Sequence, residues 1–377
     1  MKILYISHIT WGWIKQRPQF IAEELAKDNQ VDVYYRKILN WKLQYMNKNN
    51  KSSGNLRLHS YINLPIYRIF KFVPIKWLDR INKILWNLNR IDYSKYDIVY
   101  LCDCSVYDKI KKHVPAAKIF YDCMDDKQSF PGMQAYPKYK QYCYELEKEL
   151  IKQAGIVTCT ADYLKNALIN RYNINRQYYV VNNAISNNLF NQTNTQEYIQ
   201  LPANSFTYIG TVAEWFDFDL VLSVLNKIDD INIIIFGPTG DVPEKYKHPR
   251  LIFKGPIKHD KILAAMKAST GLIMPFKVNE LIRSVNPVKL YEYIYSGKPS
   301  AAVRYEESEK FKEYVYLYSS IDEFIDFINI AKSCNGIYEP KQVNAMKSFA
   351  LNNTWEARTM QIIDIIKNTN MGLSKSL

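Results

Sequence analysis

Short apolar runs alternate along this chain with longer segments in which apolar residues recur every third or fourth position. In the first half, residues 3–7, 31–35, 98–102, 119–122, 156–159 and 178–181 are rich in β-branched and aromatic side chains. That is the pattern of strands buried on both faces. Helical spacing occupies residues 17–27, 139–154 and 161–172 between several of them. After an Asn-rich stretch at 182–204 the rhythm restarts, with runs at 206–209, 231–236, 251–254, 271–275 and 300–303. A βαβ rhythm implies a parallel sheet covered by helices. The pattern therefore predicts an α/β chain of two doubly wound domains: 1–190, and 191–354 followed by a C-terminal helix over 355–377. Ligands of such sheets bind beyond the carboxyl ends of the strands, so the loops that follow the strands are where chemistry is expected.

Composition narrows this picture in three ways. A chain of 377 residues has room for two cores, and 47% hydrophobic content with only 12 Gly and 15 Pro belongs to an ordered globular protein. Six cysteines without CxxC spacing read as reduced thiols, so a zinc site is not expected, and with no clear DxD motif in a suitable loop no other metal site is expected either. The net charge of +13 is uneven, because residues 1–200 hold 29 Lys+Arg against 17 Asp+Glu. A basic half attracts phosphorylated ligands, anionic lipid or nucleic acid, and the absence of any nucleic-acid-binding motif removes the last.

Residues 1–8 end in polar side chains and read as a buried strand, not a targeting signal, and no apolar run approaches the length of a transmembrane helix. Residues 62–86 interleave aromatic and aliphatic residues with Arg68, Lys71, Lys76, Arg80 and Lys83. This composition suits a segment lying in an anionic membrane interface. It equally suits an amphipathic helix packed on the domain with a solvated basic face, and Pro65 and Pro74 interrupt the pattern.

The most informative stretch is 286–299, Asn-Pro-Val-Lys-Leu-Tyr-Glu-Tyr-Ile-Tyr-Ser-Gly-Lys-Pro. Pro287 can open a helix and Gly297 can close it. The helix start offers unpaired N–H groups and the positive end of the macrodipole, a site for phosphate. Lys289 and Glu292, three apart, share one face near that end, and a cation for phosphate with a carboxylate for a sugar diol is what a nucleotide-sugar site needs. An incidental surface ion pair has the same spacing.

Other loops add candidates. In the first half, His8, Trp11, Trp13 and Arg17 follow the first strand, and Asp122, Asp125 and Asp126 end the fourth. Crowded carboxylates can supply a general base, while Asp125 and Asp126 also suit helix capping. In the second half, Gly210 and Thr211 follow the first strand, Lys254, Gly255 and Pro256 the third, and Arg283, Ser284, Val285 and Asn286 precede the helix. The backbone after Lys254 suits a base edge, and Arg283 suits a diphosphate.

Taken together, Trp13 with Arg17-Pro18-Gln19, Tyr121-Asp122 with Asp125-Asp126, Gly210 with Trp215-Phe216-Asp217, Phe236-Gly237-Pro238, and Asn286 to Tyr293 with Gly297-Lys298-Pro299 resemble GT-B glycosyltransferases related to glycosyltransferase family 4, of the teichuronic-acid, capsule and O-antigen type. The resemblance implies two Rossmann-like domains facing across a cleft, with the C-terminal helix over 355–377, carrying Trp355, Glu356 and Arg358, packing back on the first. It implies transfer of a sugar from a nucleotide donor, UDP-linked, to a lipid-linked or polysaccharide acceptor at the cytoplasmic face of a bacterial membrane, with no cofactor beyond the donor. Glu292 matches the ribose-binding glutamate; Ser284 to Asn286 and Lys289 would face the diphosphate, and the N-terminal domain would hold the acceptor through Trp11, Trp13 and Arg17.

Three positions depart from the family pattern. Ser284 stands where its retaining members carry a first glutamate, and Thr211 and Glu214 stand where they carry an arginine and a lysine. Arg283 becomes the candidate for phosphate neutralisation, and the anomeric outcome stays open: an inverting enzyme would draw its base from Asp122, Asp125, Asp126 or His8. A non-catalytic scaffold that binds nucleotide sugar or glycan, and a nucleotide-sugar epimerase on the same fold, are the competing readings.

Overall fold

The structure is a computed structural model describing residues 1–12, 15–38, 52–65, 74–187, 189–190, 199–240 and 242–369. Trp13 and the middle of the basic aromatic segment, 66–73, lie outside the described residues. The chain divides into two compact units, Met1–Asn182 with Trp355–Leu377, and Asn183–Thr354.

Unit 1 contains β1 (Lys2–Ser7), β2 (Gln30–Arg36), β3 (Leu56–Tyr61), β4 (Ile98–Leu101), β5 (Ile119–Cys123), β6 (Ile156–Cys159) and β7 (Tyr179–Val180). They form one sheet in the order β3-β2-β1-β4-β5-β6-β7, every pair parallel. Its helices are α1 (Arg17–Leu25), α2 (Ile75–Asn87), α3 (Tyr107–Ile110), α4 (Pro131–Gln134), α5 (Pro137–Gln153) and α6 (Asp162–Tyr172). Strands β4, β5 and β6 are buried along their whole length, as helices on both faces require. Rings from neighbouring strands stack through the sheet, Tyr5 on Tyr100 at 4.6 Å and Tyr100 on Phe120 at 4.5 Å between centroids.

Unit 2 contains β8 (Ser205–Ile209), β9 (Asn232–Phe236), β10 (Leu251–Gly255), β11 (Gly271–Met274), β12 (Ser300–Val303) and β13 (Tyr316–Tyr318), again all parallel, in the order β10-β9-β8-β11-β12-β13. Its helices are α7 (Phe218–Lys227), α8 (Ile262–Ala268), α9 (Glu280–Arg283), α10 (Val288–Ser296), α11 (Ile321–Ser333) and α12 (Pro340–Leu351). The last helix, α13 (Trp355–Asn368), belongs to unit 1, where Trp355 stacks on Phe20 of α1 with centroids 5.2 Å apart.

Strands β3 and β13 were not anticipated. Both are edge strands: β3 leaves most of its side chains open to solvent, and β13 has only three residues. Strand β3 lacks the continuous apolar run of a buried strand, whereas β13 lies in the run Tyr314-Val-Tyr-Leu-Tyr318, a strand pattern that the expected runs omit. In both sheets the chain reverses its winding beside the central strand, so crevices open at the carboxyl ends of β1 and β4 and of β8 and β11.

Candidate functional site

In unit 2 the central crevice is held open by a tyrosine. Strands β8 and β11 pair only through Gly271 with Phe206 and Leu272 with Thr207. Further along they separate, and the buried Tyr293 hydroxyl of α10 enters the gap. It accepts from the Ile209 N–H at 3.1 Å and donates to the Ile273 carbonyl at 3.3 Å. Two main-chain groups that the diverging ladder leaves unpaired are thereby satisfied, and α10 is fixed across the crevice.

Three of the anticipated loops lie side by side at that end of the sheet. Gly210 N–H donates to Phe236 O and Gly237 N–H to Gly255 O, both at 2.8 Å. Gly237 has φ +145°, and a Cβ there would meet the Gly210 carbonyl oxygen at 2.0 Å, so only glycine lets the two loops approach. Gly210 and Thr211 are thus brought beside Lys254, Gly255 and Pro256, where a bulge in β10 leaves Lys254 exposed. The β8 and β11 loops are tied to each other by Asp217 N–H to Pro275 O (2.8 Å) and Lys277 N–H to Trp215 O (2.7 Å).

Helix α10 runs from Val288 to Ser296, with Pro287 at its N-cap and Gly297 at φ 74° closing it, one residue shorter at the start than the sequence pattern predicts. The Lys289–Glu292 spacing becomes an ion pair of 2.8 Å between Nζ and Oε2. Glu292 is buried and Lys289 half-buried, and among the described residues no other donor reaches the Glu292 carboxylate. The result is a carboxylate with one oxygen committed and the other available to hydroxyls.

The residues just before α10 have other duties. Ser284 is fully buried, and its hydroxyl donates back to Glu280 O at 3.0 Å, capping α9 from within. The Val285 carbonyl accepts from the Tyr305 hydroxyl at 3.1 Å. Asn286, also buried, accepts from Asn183 N–H at 2.9 Å and donates to Glu307 at 3.1 Å. These contacts shape the loop, and the Ser284 and Val285 N–H groups are committed as well, to Leu281 O at 3.1 Å and Ile282 O at 3.0 Å. Arg283 departs from its expected role as an open cation: its guanidinium grips the Glu306 carboxylate, with Nε 3.0 and 3.1 Å from the two oxygens, and lies 3.7 Å from Glu280. Two carboxylates already neutralise it, and the cation at the start of α10 is Lys289.

In unit 1 the three aspartates at the carboxyl end of β5 divide sharply. Asp122 is fully buried, and both oxygens are filled: Arg17 donates from Nε (2.9 Å) and Nη2 (3.0 Å), Tyr100 from its hydroxyl (2.8 Å) and Thr158 from Oγ1 (2.8 Å). Arg17 is buried with it and also donates to Asn182 O at 3.1 Å. This geometry corrects two expectations. Asp122 is an internal anchor with no oxygen left for a substrate, and Arg17 fastens the start of α1 instead of presenting its guanidinium to an acceptor. Asp126 is gripped by Arg171 at 2.7 and 2.6 Å and accepts from Gln128 N–H and Ser129, which makes it the cap that its position also allowed.

Asp125 differs from both. It is exposed, and no donor reaches its carboxylate among the described residues. Desolvation by the protein atoms around it pushes its pKa up to about 6; Arg17 pulls downward, while Asp126 and Asp122 add to the rise. His8 is partly buried with no partner for Nδ1 among the described residues, and burial lowers its pKa against the opposing charge of Asp103. Asp103 is itself paired with Lys127 at 2.7 Å. Trp11 rests near Tyr35, centroids 6.3 Å apart. Arg171, Lys127 and Asn183 had not been singled out, and Tyr293 had been read only as part of a motif; each works through a partner distant in sequence, which spacing does not reveal.

No family model matches the chain. TuaH of Bacillus subtilis, named for a glycosyltransferase role in teichuronic acid biosynthesis, is 26% identical over 234 residues, 58% of this chain and 58% of that protein. The chain thus spans little more than half the length of the curated relative it matches. Solved structures match along nearly the whole chain. Sucrose-phosphate synthase from Thermosynechococcus elongatus has a TM-score of 0.69 at 14% identity, covering 97% of this chain and 98% of that one. Alr3699/HepE of Anabaena, solved in complex with UDP, has a TM-score of 0.66 at 12% identity, covering 98% and 100%. The trehalose-6-phosphate protein of E. coli bound with UDP-2-fluoro glucose has a TM-score of 0.71 at 11% identity, covering 97% and 99%. At these identities the likeness is one of architecture, and with two parallel sheets of seven and six strands the chain has the α/β GT-B fold of glycosyltransferases.

Proposed function

We propose that this protein is a glycosyltransferase that moves a sugar from a UDP-sugar donor to a lipid-linked or polysaccharide acceptor in bacterial cell-surface glycan synthesis. The observation that carries the reading is the buried Glu292 at the start of α10, paired to Lys289 at 2.8 Å and set beside the crevice of the unit 2 sheet. UDP in the HepE complex supports the choice of nucleotide, and the name of the Bacillus subtilis relative supports the class of glycan.

In this mechanism the open oxygen of Glu292 accepts hydrogen bonds from the ribose hydroxyls. Lys289 and the N-terminal N–H groups of α10 face the diphosphate and stabilise the charge that grows on it as the glycosidic bond breaks. The backbone of the Gly210–Thr211 and Lys254–Pro256 loops borders the donor. In unit 1, Asp125 is the carboxylate able to take a proton from an acceptor hydroxyl, since no donor occupies it among the described residues and the protein atoms around it, with Asp126 and Asp122, push its pKa up to about 6. A base in that role belongs to an inverting enzyme. The charge on the leaving group is met without a metal ion in this scheme, by Lys289 and the helix end.

Ser284 in place of a glutamate, and Arg283 neutralised by Glu306, favour one alternative, a subunit that binds nucleotide sugar without turning it over. Release of UDP from UDP-sugars, measured with and without a polyprenyl-diphosphate-linked glycan, separates the two. Acceptor-dependent UDP release is the expected result, and UDP binding without release supports the alternative.

A further inference from the structure

Helix α2 shows the reverse of ordinary surface polarity. The side toward the rest of unit 1 carries Asp79 and Asn82, both buried, together with Trp86. Asp79 accepts from the Tyr142 hydroxyl at 2.9 Å and pairs with Lys109 at 3.5 Å. Asn82 exchanges two hydrogen bonds with the Leu64 main chain, at 2.8 and 3.0 Å. Polar locks thus hold the helix down.

The opposite side is apolar and faces solvent. Trp77 is 63% exposed, Ile81 46%, Ile84 63% and Leu88 70%. Steps of four, three and four put them on one stripe. Lys76 and Arg80 are exposed beside it, and the Arg80 guanidinium stacks over the Trp77 ring at 4.4 Å. Asp79 is the one acidic residue of the helix, and it is buried, so the helix's exposed side carries apolar residues, cations and the neutral Asn87 but no carboxylate. Next to Trp77 an open depression of about 620 Å³ is bordered by Ile75, Lys76 and, on α5, Lys138, Tyr142 and Glu145.

Single exposed apolar residues are normal on a protein surface, but a continuous stripe is the mark of a docking face. Its occupant follows from the charge. Cations interleaved with Trp and aliphatic side chains match the boundary between lipid headgroups and acyl chains, and the excess of positive charge in residues 1–200 complements an anionic bilayer. We propose that α2 docks unit 1 on an anionic phospholipid surface, with Trp77, Ile81, Ile84 and Leu88 entering the interface and Lys76 and Arg80 meeting the lipid phosphates. The inference stands independently of the sugar-transfer reading.

The test is cosedimentation of the full chain with vesicles of phosphatidylglycerol and phosphatidylcholine, and with vesicles of phosphatidylcholine alone. Binding to the anionic vesicles is expected. The double substitution Trp77→Ser with Ile84→Ser should weaken it at least about tenfold, and Lys76→Gln with Arg80→Gln by about fivefold per charge, an effect that disappears on neutral vesicles. All four positions are exposed, so melting temperatures should stay near the parent value. Failure of the parent chain to bind anionic vesicles, or equal binding by the Trp77→Ser, Ile84→Ser variant, overturns the proposal. So does light scattering that shows a dimer dissolved by that variant, because the stripe would then be covered by a second copy.

Discussion

Asp122 and Asp125 lie three positions apart at one strand end, yet their surroundings give them opposite chemistry. Asp122 holds a bidentate Arg17 inside the sheet, and removing either partner strands a buried charge. Arg17→Ala or Asp122→Ala should therefore destabilise unit 1 by about 3–5 kcal/mol, read as the shift of the urea midpoint. Asp125 has a raised pKa, so its proton is held more tightly in the folded chain than in the unfolded one. Its contribution to stability is full below the ordinary carboxylate range and is lost as pH rises through about 6. Asp125→Asn should then melt at the same temperature as the parent or higher at pH 8, and lose its relative advantage toward pH 4. If Asp125 is the base, kcat/KM for the parent falls below pH about 6, and Asp125→Asn lowers kcat by about 10²-fold or more. Unchanged turnover in this variant would remove Asp125 from the mechanism.

At the scale of elements, α10 is defined as much by Tyr293 as by its two charged residues. Tyr293→Phe leaves the Ile209 N–H and the Ile273 carbonyl without their bridge in a buried place, an expected loss of about 1–3 kcal/mol by chemical denaturation. A midpoint that does not move would mean the gap closes without the hydroxyl. Much of this architecture was legible in the sequence because parallel strands buried on both faces read as apolar runs, and because Pro287 and Gly297 punctuate α10. Lys289 and Glu292 were legible as a pair because helical spacing fixes which residues share a face. Edge strand β3 was not legible, since half of an edge strand's surroundings is water, while β13 was legible as the run 314–318 and was passed over. Contacts across long stretches of sequence were hidden too: Arg17 meets Asp122 across 105 positions and Asn183 meets Asn286 across 103. For that reason Arg17 and Arg283 looked like available cations until their carboxylate partners were seen. Helix α2 was half legible, its mixed composition being plain in the sequence while the side on which the apolar residues lie was not.

At the scale of the whole molecule, two units share one strand order but differ in charge and equipment. Residues 1–200 carry nearly all of the net positive charge, with 29 Lys+Arg against 17 Asp+Glu. In unit 1 lie the apolar and cationic side of α2 and the exposed Asp125. Unit 2 carries the glycine-shaped loops and the Lys289–Glu292 pair. This division suits a donor on unit 2 and an acceptor on unit 1. Isothermal titration of UDP into the protein and into its Glu292→Gln variant addresses the donor assignment directly. Binding should be saturable in the parent chain and weaker by about 10- to 100-fold in the variant, because an amide accepts the ribose hydroxyls less strongly than a carboxylate. Equal UDP affinity in the two proteins, or no UDP binding by the parent chain, would contradict a UDP-sugar site built on α10.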